Sequence, residues 1–192
     1  DGSESLGIVI SGVPTGATLS AGTDNGDGTW TLTSAQLTGL TITPSSNDDS
    51  DFTLSVTATA SDDASTADSV QTLNVTVSGV VDTPSLSVAA ASGGEDTAIS
   101  LSISSALTDT DGSESLTVVI SGVPTGATLS AGTDNGDGTW SLIQSQLSDL
   151  SITPPSDDDG DFTLTVTATA SEGGSTSQSV GTIDVSVAAA AD

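Results

Sequence analysis

The chain carries 26 Asp and Glu residues and not one Lys, Arg or His across its 192 positions, for a formal net charge of −26. No side-chain salt bridge can form anywhere in it. Carboxylates that folding brings together must be neutralised by water, dissolved salt or a bound metal ion. Two carboxylates about 4 Å apart repel by roughly 1 kcal/mol in bulk water and by about 4 kcal/mol at a protein surface. A fold that clusters them is unstable unless a hard divalent cation is part of it, and Ca2+ is the ion best matched to flexible oxygen-rich sites.

The same composition excludes several function classes. A basic patch cannot be assembled, which rules out nucleic acid and anionic membrane surfaces as direct partners. No apolar run approaches the roughly 18 residues that a membrane span needs, so no direct membrane insertion is expected, and no stretch reads as a signal peptide. Cysteine is absent, which removes disulfides and thiolate metal sites and leaves metal ions as the usual substitute staple. Without Cys, His or Lys, most nucleophile and base arrangements are unavailable. Apolar residues still make up 34% of the chain, enough for a folded core rather than a disordered acidic tail.

Self-comparison decides the organisation. Asp1 to Asp82 aligns without gaps on Asp111 to Asp192, an offset of 110 residues with 26 differences over 82 positions. From DGSESL through NGDGTW, ending at Trp30 and Trp140, only Gly7/Thr117 and Ile8/Val118 differ. Thr83 to Thr110 lies between the copies and has no counterpart ahead of the first. The expected domains are therefore residues 1–82, a repeat lacking its N-terminal strand region, and residues 83–192, a complete repeat. A longer array, of which this is part, is the simplest source of that layout.

Each repeat reads as strands. Phe162, Leu164, Val166, Ala168 and Ala170 alternate with Thr163, Thr165, Thr167 and Thr169, a period of two with one apolar face. Ile183, Val185 and Val187 alternate likewise, as do Ile99, Leu101 and Ile103. The Asn-Gly and Asp-Gly pairs of TDNGDGTW are hairpin signals. Some seven short strands in each repeat of about 110 residues predict an all-β chain of tandem Greek-key β-sandwiches of immunoglobulin or cadherin-like type. One Trp and one Phe per repeat are expected to anchor the core.

If successive strands simply reverse, the acids fall at one pole. Asp109, Asp111 and Glu114 share one loop, Asp134 and Asp137 a second, and Asp157, Asp158, Asp159 and Asp161 a third, with Asp192 at the end of the last strand. The first copy supplies Asp1, Glu4, Asp24, Asp27, Asp48, Asp49, Asp51 and Asp82 in the same places. The neutral SGVPTGA turn and the loop around Gly173 take the opposite pole. The spacing of DTDGSE, Asp109 to Glu114, suits Ca2+, because alternating Asp residues and an intervening Gly let a turn wrap oxygens around one ion, with Glu as a bidentate ligand. It is not a full EF-hand loop. Asp and Gly also simply favour turns, and a hairpin accounts fully for Asp134 and Asp137. Glu95 and Asp96 either bridge to the acidic cluster or close a strand crossover.

At GGEDTAISL, LTDTDGSESL, SGVPTGATLSAGTDNGDGTW, LSITPPSDDDGDFTLTVTATA and the linker VVDTP, the chain resembles the extender repeats of giant bacterial RTX adhesins. Together these phrases cover nearly all of the complete repeat. The resemblance implies a Ca2+-binding immunoglobulin-like or cadherin-like module, repeated between a membrane-proximal anchor and a ligand-binding tip. It also implies unfolded export by type I secretion, folding outside the cell, and a place on the bacterial cell surface in biofilm adhesion. Asp82 before Pro84 is similar to the calcium linker of cadherins, although the full cadherin motif is absent.

These readings converge on a non-enzymatic structural role: a spacer stiffened by calcium, whose partners are the adjacent repeats of its own chain. Pro84 fixes its own φ and pushes Thr83 to extended geometry, so Asp82-Thr83-Pro84 is too short and stiff for a flexible tether. The alternative is a module that recognises a carbohydrate or another surface through its acidic Ca2+ pole. A glycosidase built on paired carboxylates is a third reading, set aside because a sandwich this small offers no cleft.

Overall fold

The computed structural model describes residues 4–62 and 65–190 and is all-β apart from two short 3-10 turns, Ser34–Leu37 and Gln144–Gln146. It divides into two compact units, Asp1–Gly79 and Val80–Asp192. The first holds β1 (Ser5–Ser11), β2 (Thr18–Leu19), β3 (Thr23–Asp24), β4 (Thr29–Leu32), β5 (Ile42–Thr43), β6 (Phe52–Asp62) and β7 (Ser65–Val75). The second opens with β8 (Ser85–Val88), β9 (Ala91–Gly94), β10 (Ile99–Ser100) and β11 (Ile103–Ala106). It continues with β12 (Ser115–Ser121), β13 (Thr128–Leu129), β14 (Thr133–Asp134), β15 (Thr139–Leu142), β16 (Ser151–Thr153), β17 (Phe162–Glu172) and β18 (Ser175–Ala188).

In the second unit the alternation written into β17 becomes its burial pattern. Leu164, Val166, Ala168 and Ala170 are fully buried, while the intervening Thr residues are not. β17 sits at the middle of a six-stranded sheet of order β14-β15-β12-β17-β18-β9. Its register pairs Val166 with Ile120 on one side and Leu164 with Ile183 on the other. A three-stranded sheet, β10-β16-β13, and the β11-β8 pair complete the unit. Ile99, Leu150 and Ile152 from the smaller elements join Ile120, Leu164 and Ile183 in one apolar cluster. Each such side chain contributes roughly 1.5–3 kcal/mol by leaving water. Trp140 and Phe162 pack against this cluster from its border.

Two glycines mark close backbone approaches. Gly122, at φ 80°, would place a Cβ 2.7 Å from the Thr163 carbonyl oxygen, so the turn after β12 admits no side chain there. At Gly181 a Cβ would meet Val88 Cγ2 at 2.9 Å and Leu86 Cδ2 at 3.5 Å. That glycine lets β8 lie directly over β18.

The first unit repeats this plan without the four strands that precede β12. Its main sheet runs β3-β4-β1-β6-β7, with β7 at the edge, and among the described residues β5 pairs with β2 alone. Ile8, Ile10, Trp30, Leu32 and Leu54 form its core. Positions that the second unit buries stand open here: Leu73 is 55% exposed where Ile183 is 0%, and Leu37 is 42% exposed where Leu147 is 5%.

Candidate metal centre

Strand direction decides where the acids lie. β12 is antiparallel to both β15 and β17, so residues preceding β12 and residues following β17 share one end of the second unit. Asp109, Asp111, Glu114 and Glu172 with the Gly173 turn occupy that near end. The far end holds the 122–127 turn, the 135–138 hairpin and the 154–161 loop. Val123 N–H donates to the Gly138 carbonyl there at 3.2 Å.

The acids are thus divided between two ends, and the expectation of one acidic pole opposite SGVPTGA and Gly173 is corrected. The TDNGDGTW hairpin is the cause. It contributes β14, a short edge strand antiparallel to β15, and this adds one reversal that simple alternation of β13 and β15 omits. Every later loop changes ends.

At the near end, Glu114 is one residue ahead of β12 and Glu172 closes β17. Because Ser115 pairs with Ser171, the two glutamates are the next residues along neighbouring strands. They extend the inward ladders of Val118/Ile120 and Ala168/Ala170 in carboxylate form. Glu114, Glu172 and Asp109 are all buried, at 8%, 9% and 5% exposure. Asp109 Oδ1 accepts the Asp111 N–H at 2.9 Å, and Asp111 Oδ1 accepts the Ser113 N–H at 2.8 Å, so DTDGSE does wrap into a turn. Glu114 Oε1 accepts the backbone N–H of Asp82 at 2.5 Å. Its Oε2 is buried without a hydrogen bond, as is Ser113 Oγ.

The linker residues are held at this same end of the second unit. The Thr83 carbonyl accepts from Thr108 Oγ1 at 2.8 Å and the Pro84 carbonyl from Ser179 Oγ at 2.6 Å. Thr83 and Ser177 hydroxyls bond at 2.8 Å.

The far-end acids accept hydrogen bonds from loop and strand donors. Asp161 Oδ1 accepts the Val187 N–H at 2.8 Å, and Asp158 Oδ1 accepts the Gly160 N–H at 3.0 Å. Asp96, itself at φ 58°, bridges to this loop through Ser156 Oγ at 3.0 Å and the Asp157 N–H at 3.4 Å. Glu95 instead ends the β9–β18 ladder: it is buried, and its Oε1 accepts the Ala190 N–H at 2.7 Å. Asp157 and Asp159 are exposed, and Asp192 lies outside the described residues.

Asp134 and Asp137 are hairpin residues. Asp134 Oδ1 accepts the Gly136 N–H at 2.8 Å, and Asp137 Oδ1 accepts the Thr139 hydroxyl at 2.6 Å and its N–H at 3.1 Å. These Thr139 donors hold the Asp137 carboxyl below its ordinary 3.8, as those of Thr29 do for Asp27. Beside each hairpin lies a cavity of about 170 Å³ bordered by the SGVPTGA turn and by Trp30 or Trp140. That is well short of the roughly 300 Å³ at which small-molecule pockets begin.

In the first unit, Glu4 and Asp62, the counterparts of Glu114 and Glu172, are exposed, and Asp1 lies outside the described residues. Asp48 Oδ1 accepts the Ser50 N–H at 3.1 Å and its Oδ2 the Ser45 hydroxyl at 3.0 Å, while Asp51 Oδ1 accepts the Val77 N–H at 2.9 Å. Asp49 is half-buried.

Among the described residues, no three Asp or Glu side chains converge into a finished metal shell. The near end nevertheless fits a hard cation. A buried carboxylate oxygen without a donor costs on the order of 1–3 kcal/mol or more, and no cationic side chain exists to relieve Glu114 Oε2. Asp109, Glu114 and Glu172 would supply the carboxylates, with Asp111 and Asp82 beside them. Sequence reading missed Glu172. The signal was present: the period-two ladder that ends in Ala168 and Ala170 places residue 172 on the inner face.

Among the described residues no helix is long and apolar enough to cross a membrane. No protein-family model matches the chain, and no curated protein matches it. Among solved structures it is similar to the endo-fucoidan hydrolase MfFcnA4 of glycoside hydrolase family 107, at 22% identity and a TM-score of 0.33 over 95% of this chain. It is similar also to MfFcnA9 of the same family, at 21% identity and a TM-score of 0.30 over 90% of this chain. The chain spans 23% and 28% of those two proteins.

Proposed function

We propose that the chain is a Ca2+-dependent structural extender, a spacer of a bacterial cell-surface adhesin whose repeats are stiffened by calcium at their junctions. In this reading each repeat is a Greek-key β-sandwich of immunoglobulin or cadherin-like type, displayed outside the cell to project a distal binding region. One observation carries it: Glu114 is buried one residue beyond the Ser115–Ser171 pair, is bonded through Oε1 to the linker backbone at Asp82, and leaves Oε2 without a donor. An ion bound at Glu114, Asp109 and Glu172 would fix the linker as well as the pole. Ca2+ supplies positive charge and oxygen coordination there, with no reaction to catalyse. At tenfold saturation one such site adds about 1.4 kcal/mol to the folded state.

The carbohydrate-binding reading has less behind it. Trp30 is buried, and Trp140, Phe52 and Phe162 pack against the cores; the cavities where Trp30 meets Asp24 and Trp140 meets Asp134 hold only about 170 Å³. The test is small-angle X-ray scattering on an array of several repeats, at matched ionic strength with Ca2+ or with chelator. Chelation is expected to shorten and broaden the end-to-end distribution. An unchanged maximum dimension would remove calcium from the linker and end the spacer reading.

A further inference from the structure

Asparagine followed by glycine is the pair most prone to deamidation in a polypeptide. The glycine nitrogen attacks the asparagine Cγ, an N–Cγ bond forms, the Cγ–Nδ2 bond breaks and ammonia leaves. Water then opens the resulting succinimide to aspartate or isoaspartate. Glycine favours the reaction because no Cβ restricts its backbone or shields its nitrogen. The chain holds two such pairs, Asn25-Gly26 and Asn135-Gly136, at matching places in the two repeats. All four residues are exposed, and a Cβ at either glycine would meet nothing within 4 Å. Neither burial nor crowding protects them.

Hydrogen bonds hold both reacting groups instead. The Gly136 N–H donates to Asp134 Oδ1 at 2.8 Å, and the Gly26 N–H to Asp24 Oδ1 at 2.9 Å. The attacking nitrogen is thus committed to a carboxylate, in a charge-assisted bond stronger than a neutral one. Attack also requires that nitrogen to lose its proton, and the adjacent carboxylate opposes the negative charge left on it. The amide under attack is held separately. Asn135 Nδ2 donates to Thr139 Oγ1 at 2.9 Å and to Ser141 Oγ at 3.0 Å. Asn25 Nδ2 donates to Thr29 Oγ1 at 2.9 Å and to Thr31 Oγ1 at 3.1 Å. The backbone N–H of each asparagine donates to the carbonyl of Thr139 or Thr29 at 3.0 Å.

We infer that Asn25 and Asn135 are latent succinimide sites, and that Asp24 and Asp134 keep them closed by binding the N–H that would attack. The two aspartates thereby gain a kinetic role beyond shaping the turn, and one independent of any bound metal. Reaction at these sites would be disruptive in this chain. Each event replaces a neutral amide by a carboxylate where no cationic side chain can answer it. The isoaspartate product also adds a backbone methylene inside the hairpins that pair β3 with β4 and β14 with β15.

The experiment incubates the full chain at mildly alkaline pH, folded or in urea, and reads each asparagine by mass spectrometry of peptic peptides. The residues that follow tell the two hairpins apart, TLTSAQ after Trp30 and SLIQSQ after Trp140. In urea both asparagines should react at one rate, because the copies are identical from Thr23 to Trp30 and from Thr133 to Trp140. In the folded parent both should react about tenfold or more slowly by comparison. Asp134→Ala should speed Asn135 by about tenfold or more, the effect of losing one charge-assisted hydrogen bond. Asn25 in the same molecule should not change. Asp134→Asn keeps an acceptor oxygen and should stay near the parent rate. Asp137→Ala loosens the adjoining turn but leaves Gly136 bonded, so it should speed Asn135 far less than Asp134→Ala does. A folded parent that reacts as fast as the chain in urea would overturn the inference. So would an Asp134→Ala chain whose Asn135 stays as slow as its Asn25. Equal acceleration by Asp137→Ala would do the same, since it would trace protection to the hairpin as a whole.

Discussion

Glu114 stands where an apolar residue would continue the ladder of Val118 and Ile120, and the replacement gives a charged side chain one hydrogen bond and one bare oxygen. Asp134 has the opposite character, exposed and engaged in its own turn. Glu114→Gln should therefore weaken Ca2+ binding by about tenfold or more, while Asp134→Asn should leave it unchanged. Calorimetric titration of both variants checks the ranking, and equal losses would reverse it. The hairpin carboxylates give a separate handle through pH. Thr139 and Thr29 hold Asp137 and Asp27 below 3.8 in the folded chain, so their support is fully present above the ordinary carboxylate value. It is lost as pH falls through the lower folded value. NMR titration should place both carboxyls below 3.8, and Asp137→Asn should remove that part of the acid sensitivity of the hairpin.

At the scale of elements, β7 and the matching part of β18 share six of eleven residues and have opposite energetics. Ile183 is wholly enclosed and Leu73 is not. Ile183→Ala should destabilise its unit by about 2–5 kcal/mol, whereas Leu73→Ala should fall within about 0.5 kcal/mol. Denaturant melts followed through Trp140 and Trp30 respectively would show the contrast, and similar losses at both sites would contradict it. Neither strand reveals this difference on its own, because burial there depends on β8 to β10, which lie far away in the chain. What the sequence made legible was local. Period-two alternation located β17 and the inward residues of β18, and Asn-Gly with Asp-Gly located the hairpins. The division of the acids between two ends was hidden, because β14 is only two residues long and one short strand inverts the parity of everything after it. Glu172 was hidden for a related reason: it closes an apolar ladder with a charge.

For the whole molecule the governing fact remains the absence of any cation. In chelator the melting temperature should fall steeply, and moderate NaCl should restore it only in part, since monovalent screening does not replace coordination. A melting curve indifferent to chelator at low salt would refute a structural role for the metal. The glycine beneath β8 has a further consequence for assembly. Tandem domains as alike as these can exchange strands while folding, a common route to misassembly in repeat proteins. Here the segment Ser85–Val88 finds Gly181 in its own repeat and Gln71 in its neighbour. A Cβ at position 181 would stand 2.9 Å from Val88 Cγ2, so the strand is seated on its own repeat by a residue that carries none. Gly181 is thus one of the 26 positions at which the two copies differ, and it lies where β8 approaches β18 too closely for a side chain.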